Sequence, residues 1–147
     1  MTLEPLDLGG QRYRPVPESP RVELTISSVS SGSLFELRFD ARLEGPCVRC
    51  LETADVPLSI SAREYQASSP AGSEELSTPY VEDDRLDLSS WARDAIALEL
   101  PEKVLCREDC AGLCAGCGAD LNRAPCACEP IQSESRFAKL AELRDLL

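Results

Sequence analysis

The chain has 147 residues, 43% of them hydrophobic, which is the length and composition of one small globular domain. It carries 26 acidic and 15 basic residues and no histidine, giving a formal net charge of −11. This charge argues against a surface that binds nucleic-acid phosphates, and the lack of histidine removes the usual general base at neutral pH. We therefore expect a protein that is not an enzyme, has no small-molecule substrate and binds a basic protein partner.

The first ten residues are acidic and have neither the basic region nor the long apolar region of a secretory signal. No stretch of the sequence approaches the roughly 18 apolar residues of a membrane span. Both observations predict a cytoplasmic protein that does not bind membranes. In the cytoplasm disulfides are rare, and closely spaced cysteine pairs more often bind metal.

The N-terminal half is predicted to form an arm followed by three strands. Residues 1–20 contain four prolines, which favour an extended N-terminal arm. Apolar and polar residues then alternate around 22–26, 35–43 and 56–62, and this period of two predicts half-buried strands. A turn is predicted at 30–33. Because the connections are short, we expect an antiparallel meander.

The next segments alternate between loop and regular structure. Residues 67–79 are rich in Ser, Pro, Gly and Glu, and this composition predicts a flexible acidic loop. Residues 84–88 are predicted to add a short strand. At the end of the chain, residues 131–147 place leucines and a phenylalanine on one stripe, which predicts an amphipathic C-terminal helix.

A helix is predicted over about residues 90–100, because Ser89 or Ser90 can cap its first turn and Pro101 stops it. Its apolar residues share one broad face: Trp91, Ala92, Ala95, Ile96, Leu98 and Leu100. The predicted fold class is therefore α+β. An antiparallel β-meander over residues 21–105 packs with one or two helices and is followed by a cysteine-rich zinc-knuckle segment, in one compact unit.

Eight cysteines form four short pairs: Cys47/Cys50, Cys106/Cys110, Cys114/Cys117 and Cys126/Cys128. Two such pairs, each presented by a tight turn, make one tetrahedral site with four thiolate ligands for zinc. Eight thiols suffice for two zinc sites, and Gly118, directly after Cys117, suits a tight knuckle turn. We therefore expect structural zinc, with residues 106–130 forming a zinc-binding segment.

The assignment of pairs to metal ions leaves alternatives. Eight residues separate the third pair from the fourth, enough for a compact loop, so we expect these two pairs to share one zinc. The first and second pairs then share the other. Alternatively, the second and third pairs share a cramped site, or a single zinc leaves the remaining thiols free. Rubredoxin-like iron and a thiol–disulfide switch also use paired cysteines.

Two segments resemble the signature of the YceD-like family, which is named for large ribosomal RNA subunit accumulation. They are Cys47-Val48-Arg49-Cys50-Leu51-Glu52 and residues 106–122, which read CREDCAGLCAGCGADLN. The resemblance runs from about residue 20 to the C-terminus. It implies a cytoplasmic bacterial or organellar factor that supports maturation or stability of large-subunit (23S) ribosomal RNA, without a known enzymatic reaction. It also implies that the cysteines are metal ligands and that Arg49 and the Leu121-Asn122 turn are further motif positions.

Three functions are compatible with these features. The first is a zinc-stapled, non-enzymatic accessory factor in ribosome biogenesis, which binds a basic ribosomal or assembly protein and associates with rRNA indirectly. The second is a direct RNA-binding zinc protein that uses Arg49, Arg107 and Arg123 near the knuckles. The third is a rubredoxin-like iron protein for electron transfer. The charge and the lack of catalytic groups favour the first.

Overall fold

The computed structural model of the chain describes residues 1–68 and 77–128. Its contacts divide the chain into two compact units, Met1–Cys110 and Ala111–Leu147. Within the second unit, the segment around the third cysteine pair makes backbone hydrogen bonds to its own turns. The predicted C-terminal helix over residues 131–147 lies outside the described residues.

The first unit contains seven strands and one helix among the described residues: β1 (Leu6–Leu8), β2 (Gln11–Val16), β3 (Glu23–Val29), β4 (Gly32–Pro46), β5 (Thr53–Ala67), β6 (Val81–Glu82), β7 (Arg85–Leu86) and α1 (Leu88–Glu99). The antiparallel α+β class is therefore confirmed. β6 and β7 form the short ribbon that replaces the single strand expected at 84–88. Most of the expected acidic loop lies outside the described residues, and β5 extends to its first position, Ala67.

β4 is the centre of the sheet. Its fifteen residues all pair with β5 along one edge, from Gly32↔Ala67 to Pro46↔Thr53. Along the other edge, β3 pairs with the first half of β4 and β2 pairs with Arg42–Glu44. β3, β4 and β5 thus form the expected meander, and the alternating sequence of β4 places its odd-numbered residues from Phe35 to Leu43 in the core.

Within the expected N-terminal arm over residues 1–20, β1 and β2 form a β-hairpin. Leu6 pairs with Tyr13 across β1 and β2, and both side chains are buried. The two-residue turn consists of Gly9 and Gly10, whose φ angles of 58° and 80° suit the primed turns of hairpins. The Gly-Gly pair is the sequence signal for this hairpin.

The helix begins slightly earlier than predicted. Asp87, rather than Ser89 or Ser90, caps α1: its carboxylate accepts hydrogen bonds from the backbone N–H of Ser90 at 3.0 Å and from the Ser90 hydroxyl at 2.6 Å. The buried face packs against β5 and consists of Trp91, Ala92, Ala95 and Ile96. Leu98, assigned to this face from the sequence, is 86% exposed, because it lies beyond the edge of that narrower stripe.

Candidate metal centres

The first cysteine pair lies on the turn between β4 and β5. The carbonyl oxygen of Cys47 accepts a hydrogen bond from Leu51 N–H at 3.0 Å, and Cys47 N–H donates to the Glu52 carbonyl at 2.8 Å. The Arg49 N–H points at the Cys47 sulfur, 3.4 Å away. Leu51 has a φ of 64°, in the left-handed region. These bonds form a knuckle in which backbone amides surround the thiol that they present.

The third cysteine pair repeats this knuckle in the second unit. Gly118 N–H donates to the Cys114 carbonyl at 2.8 Å, and Cys114 N–H donates to the Ala119 carbonyl at 2.8 Å. The Gly116 N–H lies 3.4 Å from the Cys114 sulfur, and Gly118 has a φ of 72°. Counted from the first cysteine, the donors and acceptors fall at the same offsets as in the first knuckle. The two C-x-x-C segments thus share one backbone design.

The first knuckle meets the second cysteine pair. The Sγ atoms of Cys47, Cys50, Cys106 and Cys110 all lie within 4.8 Å of one another. Sγ–Sγ distances of 3.8 Å for Cys47–Cys110 and 3.5 Å for Cys50–Cys106 are close to the roughly 3.8 Å between ligands of a tetrahedral zinc with Zn–S bonds of about 2.3 Å. Cys106 is half-buried and the other three thiols are buried. We call this set the first thiol group.

Two hydrogen bonds hold the chain segment after α1 against the first knuckle. Val48 N–H donates to the Val104 carbonyl at 2.9 Å. The Arg49 guanidinium donates to the Cys110 carbonyl at 2.6 Å. The arginine between the two knuckle cysteines therefore fixes the backbone that supplies a thiol from the opposite pair, which is a structural explanation for its place in the motif.

The second thiol group consists of Cys114, Cys117, Cys126 and Cys128, whose Sγ atoms also lie within 4.8 Å of one another. Cys117 and Cys128 are exposed, and the other two are half-buried. The structure thus brings the eight cysteines together in the two groups that the spacing favoured. It does not show the alternative in which the second and third pairs share a site.

Asn122 organises the backbone of the second group. Its Oδ1 accepts a hydrogen bond from Ala111 N–H at 2.7 Å, and its Nδ2 donates to Asp120 Oδ1 at 2.8 Å. Leu121 N–H donates to the Gly112 carbonyl at 2.9 Å. The Leu121-Asn122 turn therefore joins the segments on the two sides of the third cysteine pair, whose turn we call the second knuckle. This contact is a structural explanation for the place of Leu121 and Asn122 in the motif.

Each group contains one thiol that ionises readily. Burial opposes ionisation of Cys47, but the backbone hydrogen bonds around its sulfur, led by that of Arg49, outweigh burial and lower its pKa to about 6. In the second group, the backbone N–H of Cys117 is the main cause that lowers the pKa of Cys114 to about 6. The first cysteine of each knuckle is thus prepared as a thiolate.

The partner thiols hold their protons more tightly. Hydrogen bonding with Cys50 is the main cause that raises the pKa of Cys106 to about 12, and hydrogen bonding with Cys117 does the same for Cys128. A metal cation held by either group would displace these protons and would be coordinated by the thiolates. Four sulfur ligands in this arrangement suit a metal such as zinc and close the coordination shell, leaving no open position.

The arginines near the knuckles already have partners within the protein. Besides Arg49, Arg107 lies 3.3 Å from an Asp109 carboxylate oxygen, and Arg123 lies 3.2 Å from a carboxylate oxygen of Asp120.

In the part of the chain that the structure describes, no helix has the length and hydropathy of a membrane span.

These observations define a class: a small antiparallel α+β protein with two four-cysteine groups, each built on a C-x-x-C knuckle. Residues 35–144, which include all eight cysteines, match the family described as "Large ribosomal RNA subunit accumulation protein YceD". The chain therefore belongs to the YceD family.

Individual relatives extend this result. An uncharacterized protein of Mycobacterium tuberculosis is 34% identical over 130 residues, which cover 83% of this chain and 60% of the relative. The chain is also similar to the protein named "Large ribosomal RNA subunit accumulation protein YCED homolog 1, chloroplastic" of Arabidopsis thaliana, 33% identical over 41% of this chain and 19% of the relative. The maize protein of the same name is 43% identical over 33% of this chain and 17% of its own length. The chain thus spans about three fifths of the mycobacterial relative. No solved structure matches it significantly.

Proposed function

We propose that this chain is a non-enzymatic accessory factor that supports accumulation or maturation of large-subunit (23S) ribosomal RNA in the bacterial cytoplasm. Two zinc ions staple it, one in each thiol group, and it acts by binding a basic ribosomal or assembly protein. The observation that carries the proposal is the family match over residues 35–144, which includes both thiol groups.

The charge supports a protein partner over naked RNA. The net charge of −11 repels phosphates, and each zinc with four thiolates adds a local charge of about −2. Arg49, Arg107 and Arg123 each contact a carbonyl or a carboxylate of the chain itself, so part of their hydrogen-bonding capacity is already used within the protein. A basic protein is attracted by the same negative charge.

The test of function removes the protein from the organism that carries it. We expect the ratio of 23S to 16S rRNA and the large-subunit peak to fall, and the wild-type gene to restore both. A Cys47→Ser/Cys50→Ser variant should fail to restore them, because it removes half of the ligands of the first group. An unchanged rRNA ratio after removal of the protein contradicts the proposal.

The nature of the partner is tested with the tagged protein purified from cells with intact ribosome precursors. We expect a basic ribosomal or assembly protein to remain bound after nuclease treatment. Loss of every ribosomal component on nuclease treatment, together with saturable and steeply salt-dependent binding to an rRNA fragment, identifies the direct RNA binder instead. Metal analysis accompanies this test: two zinc ions per chain in a colourless sample support the staple, and a coloured iron protein refutes it.

A further inference from the structure

β3 is an edge strand with unused hydrogen-bonding capacity. It pairs with β4 on one side, and all seven of its residues are exposed. Val29 and Gly32 flank a two-residue turn, so they form a hydrogen-bonded pair, and hydrogen-bonded and non-bonded pairs alternate from there along the ladder. The backbone N–H and C=O groups of Leu24 and Ile26 therefore point away from β4. In residues 1–68 and 77–128, no other backbone hydrogen bond reaches them.

The side chains of Leu24 and Ile26 lie on the core face of the sheet, at this edge. Leu24 lies opposite Leu37 and Ile26 opposite Phe35, and opposed residues of an antiparallel pair share a face. Leu37 is 0% and Phe35 8% exposed, whereas Leu24 is 37% and Ile26 57% exposed. Since α1 packs against β5, on the other side of β4, it leaves the core face of β3 uncovered among the described residues.

The other long edge strand is protected against further pairing and β3 is not. β5 contains Asp55, Pro57, Arg63 and Glu64, and charged residues and proline are the means by which natural proteins block sheet edges. β3 contains no proline, and its one charged residue, Glu23, stands at its start. An uncharged and partly apolar edge of this length is suited to accept another strand.

We propose that β3 is a docking edge, to which an extended segment of a basic partner protein adds as a further strand. This inference rests on the proposed function, which requires a basic protein partner, and assigns the surface that receives it. The partner segment pairs its backbone with Leu24 and Ile26 and places alternate apolar side chains beside them, extending the core face.

Charge decides between the candidate occupants. A second copy of the chain brings another net charge of −11 to the edge, and the two copies repel each other as they approach. A basic segment is attracted over the same distance. Its basic side chains alternate onto the outer face, where Glu23 lies opposite Arg38, while its apolar side chains cover Ile26. The occupant is therefore an extended segment that alternates apolar with basic residues.

The experiment uses the zinc-loaded full chain and a capped nine-residue peptide of alternating valine and lysine, with binding measured by fluorescence anisotropy. We expect saturable binding that weakens with salt. Ile26→Gln should weaken it at least tenfold, because it removes the apolar contact. Thr25→Gln, which places the same side chain one residue away on the opposite face, should change it less than twofold. Zinc content and thermal melting establish that both variants are folded.

A second peptide separates strand addition from simple charge attraction. It has the same sequence and charge but carries N-methyl groups on its valines. These are the residues that pair with Leu24 and Ile26, so the edge of the peptide that faces β3 cannot donate hydrogen bonds. We expect it to bind at least tenfold more weakly. Equal binding of both peptides, or full binding by Ile26→Gln, overturns the docking edge. If the protein forms dimers without the peptide and Ile26→Gln abolishes them, the occupant of β3 is a second copy of the chain and the proposal is overturned.

The same variants in cells separate this inference from the proposed function. If Ile26→Gln restores 23S rRNA as fully as the wild type although it has lost peptide binding, the docking edge is refuted and the proposed function stands. If the wild type itself does not affect 23S rRNA, the proposed function is refuted, and the two peptides still decide whether β3 accepts a strand.

Discussion

The fifth residue of each knuckle is held in the left-handed region: Leu51 at a φ of 64° and Gly118 at 72°. A residue with a Cβ pays about 1–2 kcal/mol for this conformation, and glycine does not. The space around Gly118 is open, with no heavy atom within 4 Å of an added Cβ, so the strain there is one of backbone conformation alone. The two knuckles thus share a backbone but meet its conformational demand differently.

We therefore predict that Gly118→Ala destabilises the second knuckle by about 1 kcal/mol and weakens its zinc binding by about fivefold. Competition with a colorimetric chelator measures the affinity. Leu51→Gly is the matched control in the first knuckle: relief of strain is offset by a more flexible unfolded chain, and the 60% exposed side chain loses little burial. A loss of affinity in the control as large as that in Gly118→Ala contradicts this explanation.

At Gly45 the close approach of a buried ring leaves no room for a side chain. A Cβ there would clash with Cδ1 of Tyr13, a residue that is 1% exposed and whose hydroxyl donates to the Pro46 carbonyl at 3.0 Å. We predict that Gly45→Ala destabilises the first unit by about 1–3 kcal/mol through overpacking, measured by urea denaturation. Tyr13→Phe, which keeps the ring and loses the hydrogen bond, should cost about 1 kcal/mol. A neutral effect of Gly45→Ala shows that the ring moves freely.

At the scale of elements, the sequence predicts the parts whose pattern is long and regular. β4 alternates from Phe35 to Glu44, and its inward residues Leu37 and Leu43 are fully buried, as the period of two requires. The grouping of the cysteines could also be predicted from the sequence, because loop length limits which pairs can meet. Short elements were harder to predict. β1 has three residues and no periodicity to read, and the choice of Asp87 over its serine neighbours as cap depends on where the preceding ribbon ends.

The two thiol groups also differ in how deeply their sulfur atoms are buried, and no sequence pattern indicated this difference. Three thiols of the first group are buried, whereas two of the second are exposed. A competing chelator could reach a metal ion held by exposed sulfurs directly, whereas an ion held by buried sulfurs would require local opening of the fold first. The two groups should therefore release metal at different rates, although their knuckle turns are alike.

We predict that excess chelator releases zinc in two phases of one equivalent each, the fast phase from the second thiol group. Cys114→Ser/Cys117→Ser should bind one zinc and lack the fast phase. Cys47→Ser/Cys50→Ser provides the complementary control, since it should lack the slow phase. Release in a single phase by the wild type, or a double variant that lacks the wrong phase, contradicts this assignment.

At the scale of the whole molecule, the two thiol groups join different parts of the chain. The first links the turn between β4 and β5 to the segment that follows α1. Cys50 and Cys106, which meet there, are 56 positions apart in the sequence. The second closes a short loop within the second unit. A cross-link between distant segments restricts the unfolded chain more than a local one, and a bound structural metal adds its binding energy to folding.

The two double variants should therefore affect the sheet unequally. We predict that Cys47→Ser/Cys50→Ser lowers the melting temperature of the sheet markedly or unfolds it, since structural zinc contributes about 10–16 kcal/mol of apparent binding free energy. Cys114→Ser/Cys117→Ser should leave the transition of the sheet within a few degrees of the wild type. Thermal melting followed by far-UV circular dichroism, with zinc content measured in parallel, makes the comparison. If both variants, and the wild type in excess chelator, melt like the zinc-loaded wild type, neither metal holds the fold and the zinc staple is refuted.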